Sequence, residues 1–546
     1  MFISPSDSLI VTLGKLYQFL VQQNCNGYVV GGFIRDWLLG KQTNDIDIAV
    51  EGNALTIAKA LAKNFGGKFV LLDEVNSIAR VIIGEEQQLK EGPPPNPPYL
   101  ARDLLYFDFC SFHGDIESDL ARRDFTIDAM AVELGQLEEN HQLKPIDPFH
   151  GKKDLENKII RAVSEQVFTS DSVRLLRAVR LAAELEFTIE PNTETLIRHN
   201  SQYITDIAGE RVREEFLRIL NLHKAAHYLH YLDDLGLLLA LIPELTQTKG
   251  VEQPVQHFWD VFEHSLQIVA ATEFLIRENN WEHGNEEILT TAPWSAEIDV
   301  HLSQEVSSGS NRRSLLKLGG LFHDIAKPKT KSIDDTGRAR FLGHAKEGAE
   351  MTASVLERLR FSRREIDIVK NLVYYHLRPV QMTNENLPVL PSTYKEEGKE
   401  GPFPSRRAIY RYFRDTGDNG VDILFLALAD YLASRGPLIH METWQRLCHL
   451  VNYILTEGGK QENRVKPVKL VNGHDLMNKF GLTPGPLVGK LLSIVYEAQA
   501  SGEITTDKEA LALVKRELLF TVSQIPESKA QQSVKGQRSN LSKTKV

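Results

Sequence analysis

Residues 28–50 read YVVGGFIRDWLLGKQTNDIDIAV, and the rest of the chain can be organised outward from them. A short apolar run breaks at Gly31-Gly32 and continues as one or two turns of amphipathic helix. It ends in a second apolar run that Asp45 and Asp47 interrupt. Residues two apart on a strand point to the same face, so these two acids converge. Like charges held that close repel unless a cation sits between them. Two hard oxygen ligands on a rigid element suit Mg²⁺ bound together with substrate phosphates. The glycines let backbone approach those phosphates, and the N–H groups opening the following helix attract anions.

At 546 residues the chain is too long for one core, and about three or four domains are expected. Apolar content of 42% and charged content of 25% are those of a soluble globular protein. No apolar run approaches the roughly 20 residues of a membrane span. The N-terminal MFISPSDSLIVTLGKL lacks the basic region of a secretory signal. Cys25, Cys110 and Cys448 are scattered without metal spacing, which fits a reducing compartment and a cytoplasmic protein. A net charge of −10 argues against nonspecific coating of nucleic acid, but not against an RNA enzyme with its basic groups on one surface.

Residues 8–24 read as a helix leading to a strand at 28–30. Helical periodicity returns over 51–67 and ends at a glycine pair. Strands are expected at 68–72, 78–83 and 104–112, the last carrying Asp108 among aromatic and apolar residues. The prolines of 91–100 place a surface loop there. Arg122, Arg123 and Asp124 precede a helix expected to begin near Thr126. Residues 146–163 read as a turn and a strand, with Asp147 and Gly151 structural. SDSVRLLRAVRLAAEL (170–185) is helical, and Arg174, Arg177 and Arg180 recur every three residues on it, on adjacent turns of one face, so their guanidiniums are expected to form a stripe.

The arrangement GG-x-x-RD followed by D-x-D resembles the head of the tRNA CCA-adding and bacterial poly(A) polymerase family. RRDFTIDAMA (122–131) is similar to that family's second motif, with Asp128 where asparagine is usual. D-x-x-R-x-x-R-A-x-R, from Asp171 to Arg180, resembles its base-reading motif, with Ser170 in place of glutamate. The resemblance implies that Asp45 and Asp47 hold Mg²⁺, with Asp108 a third catalytic carboxylate. It implies that Gly32 and Arg35 hold a triphosphate and that Arg123 and Asp124 hold the sugar. Asp171 and Arg174 would read the base of ATP or CTP, with Arg177 and Arg180 reaching the triphosphate. Planar guanidinium donors suit base-edge recognition. VLLDEVNSIARVII (70–83) lacks the His-Gly-Thr common in full CCA enzymes, which with Ser170 points to restricted nucleotide choice.

Further along, an adjacent His323-Asp324 lies in an apolar segment read as helical. Burying two polar ligands together is unfavourable unless something satisfies them, and a metal does. His264, His323-Asp324, His344, His376 and Asp430 in that order resemble the HD phosphohydrolase domain. All but His344, which opens a helix, are expected inside helices. The resemblance implies that His264, His323, Asp324 and Asp430 ligate a divalent metal, with His344 and His376 supporting a second metal or phosphate and Lys327 placed to contact phosphate. Residues 278–311 and 383–404 read as loop insertions. SRRAIYRYFR (405–414) fits either an RNA grip or a helix with aromatics turned inward. The tail 527–546 is basic, polar and expected to be disordered.

The expected fold is α+β: a small mixed-sheet nucleotidyltransferase head (1–150), an all-helical neck (151–244), an HD body (245–455) and a C-terminal helical tRNA-binding region (456–526). The expected activity is addition of CMP, AMP or both to a tRNA 3′ end. The alternatives are a poly(A) polymerase and an HD hydrolase with a vestigial head.

Overall fold

The computed structural model describes residues 7–84, 104–136, 144–254, 257–382, 403–459, 469–500 and 502–523. The proline-rich 91–100, nearly all of 383–404 and the tail 527–546 lie outside them.

The head opens with helix Asp7–Gln22, whose Leu9, Leu13, Leu16 and Leu20 recur at helical spacing and are buried. Strand β1 (Gly27–Val30) follows, then helix Gly32–Leu38 and strand β2 (Asp45–Glu51). Helix Ala54–Phe65 is capped by the Asn53 side chain and stops at Gly66, whose φ of +65° suits glycine. Strands β3 (Lys68–Asp73), β4 (Ile78–Ile83), β5 (Leu105–Phe112) and β6 (Ala131–Glu133) complete a sheet ordered β3-β4-β5-β2-β1-β6. Only β2 and β5 run parallel; the other pairs are antiparallel. Register sets the chemistry. Asp47 lies opposite Asp108 on β5, and Arg80 on β4 lies opposite the same Asp108. Asp45 is two residues from Asp47, so all four side chains share one face of the sheet.

The helix expected near Thr126 is only a 3-10 turn, Thr126–Asp128. The chain must reach β6 by Ala131 to pair with β1, which leaves no room for a helix. Between the turn and the strand expected over 146–163, the latter Ile159–Ile160, comes a short helix, Gly151–Glu156, whose first N–H groups donate to the Asp147 carboxylate at 2.6 and 3.0 Å. A Cβ on Gly151 would lie 2.0 Å from the Thr126 carbonyl oxygen, so both residues are structural, as expected.

Beyond the head the chain is helical, and one continuous apolar core runs from Phe125 to Ile454. Neck and body therefore pack as one unit. Residues 278–311, read as a loop, form helices Glu286–Thr291 and Ala296–Leu302 and a hairpin, Glu305–Ser307 with Ser310–Asn311. Trp281, Ile288, Leu302 and Val306 anchor them in the core, and Asn285 and Ser295 cap the helices. Helix Arg406–Thr416 turns Ile409 and Tyr412 inward, and the Tyr412 hydroxyl donates to the Gly420 carbonyl at 2.6 Å. Its Arg407 and Arg414 reach the Ile494 carbonyl and Glu497 of helix Pro486–Ala500, at 2.8 and 2.5 Å. Of its aromatics Tyr412 is buried, while Tyr410 and Phe413 are half-buried. Helices Gly473–Phe480, Pro486–Ala500 and Asp507–Ser523 enclose a small core of their own. No helix among the described residues is long and apolar enough to cross a membrane.

Candidate active site and candidate metal centre

Asp47 is the centre of the head site. Its carboxylate has no hydrogen bond or ion pair among the described residues, although the side chain is largely enclosed. Burial pushes its carboxyl up to about 7; nearby Arg123 opposes that, and Asp108 and Asp45 add to it. Asp45 is half-exposed and is also raised, by burial and then by Asp108. Gly31 has φ +73°, and a Cβ there would meet Arg123 Nη1 at 2.8 Å and Asp47 Oδ2 at 3.0 Å. Only glycine lets the backbone pass this close to the acid. A half-buried carboxylate with no hydrogen-bond partner among the described residues, beside a second acid on the same face, is a donor set that fits a hard divalent cation.

The other expected head residues are engaged by protein partners. Gly32 opens its helix. Arg35 folds back so that Nε donates to Asp36 at 2.9 Å and Nη1 to Asp128 at 2.7 Å. Asp128, which stands where asparagine is usual, is thus the counter-ion of Arg35. Both oxygens of Asp108 accept from Arg80, Nε and Nη2 each at 2.7 Å, and Nη2 also lies 3.4 Å from Asp45 Oδ1. Arg123 pairs with Asp119 at 3.3 Å while lying beside Asp47. Asp124 accepts from Arg177 Nη1 at 3.0 Å; that guanidinium outweighs burial and holds the carboxyl below its ordinary value.

These contacts join neck to head. Arg174 sits in helix Arg174–Leu185, and its Nη2 donates to the Arg122 carbonyl at 2.9 Å while Nη1 donates to Ser170 Oγ at 3.1 Å. Asp171, at the end of the preceding turn, accepts a bidentate pair from Arg211 at 2.9 and 2.7 Å. Against the effect of burial, that pair holds its carboxyl low. Arg177 also donates to Glu215 at 3.2 Å, and Arg180 is buried between Glu215 and Glu184. The three arginines do not share one open face. Three residues make about 300° of helix, so each step rotates about 60° and Arg180 turns inward. A cavity of about 640 Å³ lies against this row, lined by Arg177, Glu184, Arg218 and the 308–311 hairpin among others.

The second cluster is tighter. His264 lies within helix Val261–Leu275, and Asp430 within helix Gly420–Arg435. His323 and His376 sit just past the ends of helices Arg312–Phe322 and Arg363–Tyr375, not inside them, and His344 opens helix His344–Arg358. Around Asp324 are His323 Nε2 at 2.9 Å, His344 Nε2 at 3.4 Å, His264 Nε2 at 3.7 Å and His376 Nε2 at 3.9 Å; His264 Nε2 is 3.2 Å from Asp430. His323, His344 and His376 direct Nδ1 to backbone carbonyls at 2.8, 2.6 and 2.7 Å, which leaves each Nε2 facing the cluster. His264 Nδ1 is buried without a hydrogen-bond partner, and His264 Nε2, His323 Nε2 and Asp324 Oδ1 are buried with only other members of the cluster beside them. Orphaned imidazole and carboxylate atoms of this kind fit a divalent metal. Lys327 reaches Asp324 and Gln253, both at 2.5 Å. His257, which the sequence reading passed over, completes a ligand group with His264 and Asp430. Burial, with Lys327 nearby, pushes His257 down to about 4. The cluster opens to a cavity of about 1270 Å³ whose lining includes Lys327, Arg338, Arg340, Tyr374 and Arg378.

Comparison with known proteins follows the same division. Residues 27–161 match the poly A polymerase head domain, and 186–248 the RNA and SrmB-binding site of polymerase A. Residues 261–434 match the HD domain, and 465–514 a tRNA nucleotidyltransferase domain 2. The class is therefore a polymerase-type nucleotidyltransferase joined to an HD module. The chain is 32% identical to an A-adding tRNA nucleotidyltransferase of Deinococcus radiodurans, across 89% of this chain and 94% of that one. It is 30% identical to a CC-adding tRNA nucleotidyltransferase of Thermus thermophilus, across 90% and 93%. The protein belongs to the tRNA nucleotidyltransferase family. Its fold is similar to that of a Thermotoga maritima CCA-adding enzyme solved with tRNA, with a TM-score of 0.55 at 23% identity over 94% of this chain and 96% of that one.

Proposed function

We propose that the protein adds CMP, AMP or both from CTP or ATP to the 3′ end of tRNA, releasing pyrophosphate, and that it does so in the cytoplasm. The observation that carries this reading is the connection from Asp47 through Arg123 to the 122–124 segment, and from there to Arg174 and Arg177 of the neck. Acids suited to phosphoryl transfer are thereby linked, through the 122–124 segment, to side chains suited to base reading.

In this reading Asp45 and Asp47 hold Mg²⁺. When bound, Mg²⁺ lowers the pKa of the RNA 3′-hydroxyl and neutralises charge on the leaving pyrophosphate. Gly31 and Gly32 allow the triphosphate to approach, Arg123 supplies positive charge beside Asp47, and Arg35 steadies the opening helix through Asp128. Asp124 and Arg177 orient the sugar side. Asp171 and Arg174 read the base edge, since a carboxylate accepts from an exocyclic amine while a guanidinium donates to ring acceptors. Arg180 is a buried support for that helix. We assign the head to 1–150, the neck to 151–244, the HD body to 245–455 and the tRNA-binding end to 456–526.

The HD cluster is read as a divalent-metal centre held by His264, His323, Asp324 and Asp430, with His344 and His376 beside it, and as a phosphohydrolase site. Extension of radiolabelled tRNA lacking the last one, two or three nucleotides, with CTP and ATP supplied separately, tests the transferase. Extension of unrelated RNA equal to that of tRNA would favour a poly(A) polymerase. Phosphate release without any extension would favour a hydrolase with a vestigial head.

A further inference from the structure

Asp108 stands on the acidic face of the head sheet, directly across from Asp47. Position alone makes it a third metal ligand. Its contacts do not. Arg80 Nε and Nη2 take one oxygen each at 2.7 Å, the fork-to-fork geometry in which a guanidinium matches a carboxylate best. The two side chains are only 18% and 16% exposed, so the pair is poorly screened by water. Arg80 also reaches Asp45 at 3.4 Å, where it fills the space between the two acids. Asp47 has no such partner. The face thus divides into a neutralised acid, an acid touched by the same guanidinium, and an acid left open.

We propose that Arg80 is a positioning residue for nucleotide transfer: it cancels the charge of Asp108 and withholds that acid from the metal seat, leaving Asp45 and Asp47 as a two-acid site. The inference rests on the transferase reading of the head. Three ionised carboxylates around a dication would bind it more tightly and draw it off the axis set by Asp45 and Asp47. Two acids keep it loose enough to leave with pyrophosphate. Removing Arg80 frees a negative charge beside the seat, whereas removing the charge of Asp108 leaves a positive one there. The two single substitutions should therefore act in opposite directions, and together they should cancel.

The test is a Mn²⁺ titration of the full chain followed by electron paramagnetic resonance, with and without a non-hydrolysable CTP or ATP analogue. The nucleotide-dependent component separates the head from the HD cluster. Arg80→Met should tighten that component by about tenfold, and Asp108→Asn should loosen it by about tenfold. The double variant should return to within about threefold of the unmodified protein. Arg80→Lys keeps the charge and should keep the affinity, which separates charge from folding. Arg80→Met should also lower kcat more than it changes KM for nucleotide. Loosening or no change on Arg80→Met, or losses that add in the double variant, would overturn the proposal and make Asp108 a ligand in its own right. An unmodified protein with neither nucleotide-dependent Mn²⁺ nor tRNA extension would instead remove the transferase reading.

Discussion

Asp47→Asn should stabilise the metal-free protein while abolishing nucleotide addition. The Asp47 carboxyl is displaced from 3.8 to about 7 by burial and by its acidic neighbours. That displacement corresponds to a ceiling of about 4 kcal/mol of destabilisation when the group is ionised. The sign follows from proton counting. The folded state holds the proton more tightly than the unfolded chain, so stability falls as pH rises from about 4 to about 7. The penalty is absent below that window and fully present above it. Asparagine keeps the shape and removes the charge, so the gain should be near zero at pH 4 and largest at pH 8. Relaxation and water entry reduce the ceiling, and about 2 kcal/mol is the expected gain at pH 8. Chemical denaturation with chelator present, read by hydrogen exchange at β2 amides, measures it. Added Mg²⁺ should narrow the gap by stabilising only the aspartate form. Equal stability of the two forms at pH 8, or a gain as large at pH 4, would refute the assignment of Asp47 as a strained, open carboxylate.

Glu215→Gln should destabilise the neck by about 2 kcal/mol, because it removes one of the two carboxylates paired with buried Arg180 and one of the partners of Arg177, and a lowered melting temperature would show it. Asp171→Asn should change the ratio of kcat/KM for CTP and ATP more than it changes the larger of the two values, as measured by single-nucleotide extension. Asp324→Ala should remove the metal retained by the HD cluster, read by elemental analysis, and leave tRNA extension intact. Loss of both would show that the two centres are coupled.

How much of this could be read from residues alone depends on distance along the chain. The pairing of Asp45 with Asp47 is a local matter of strand period, and the sheet places both on one face as the spacing requires. The HD ligands were legible because histidine beside aspartate in an apolar segment demands compensation. What escaped were partners supplied from far away. Arg80 meets Asp108 only because β4 and β5 are neighbours, and Arg211 meets Asp171 across 40 positions. Glu215 lies 35 positions from Arg180. Nothing in local periodicity announces such pairs. The arginine row was misjudged for a different reason, since a period of three drifts around a helix and carries its last member into the core. Residues 278–311 looked like loop because their few apolar anchors are spread among polar residues, yet capping asparagine and serine were present in the sequence.

Crystals of the full chain soaked with Mn²⁺ and a non-hydrolysable CTP or ATP analogue bear most directly on the central claim. The account predicts anomalous Mn²⁺ density bounded by Asp45 and Asp47, with the base edge turned toward Asp171 and Arg174. Density absent from those two acids, or a base lodged away from the neck, would contradict it.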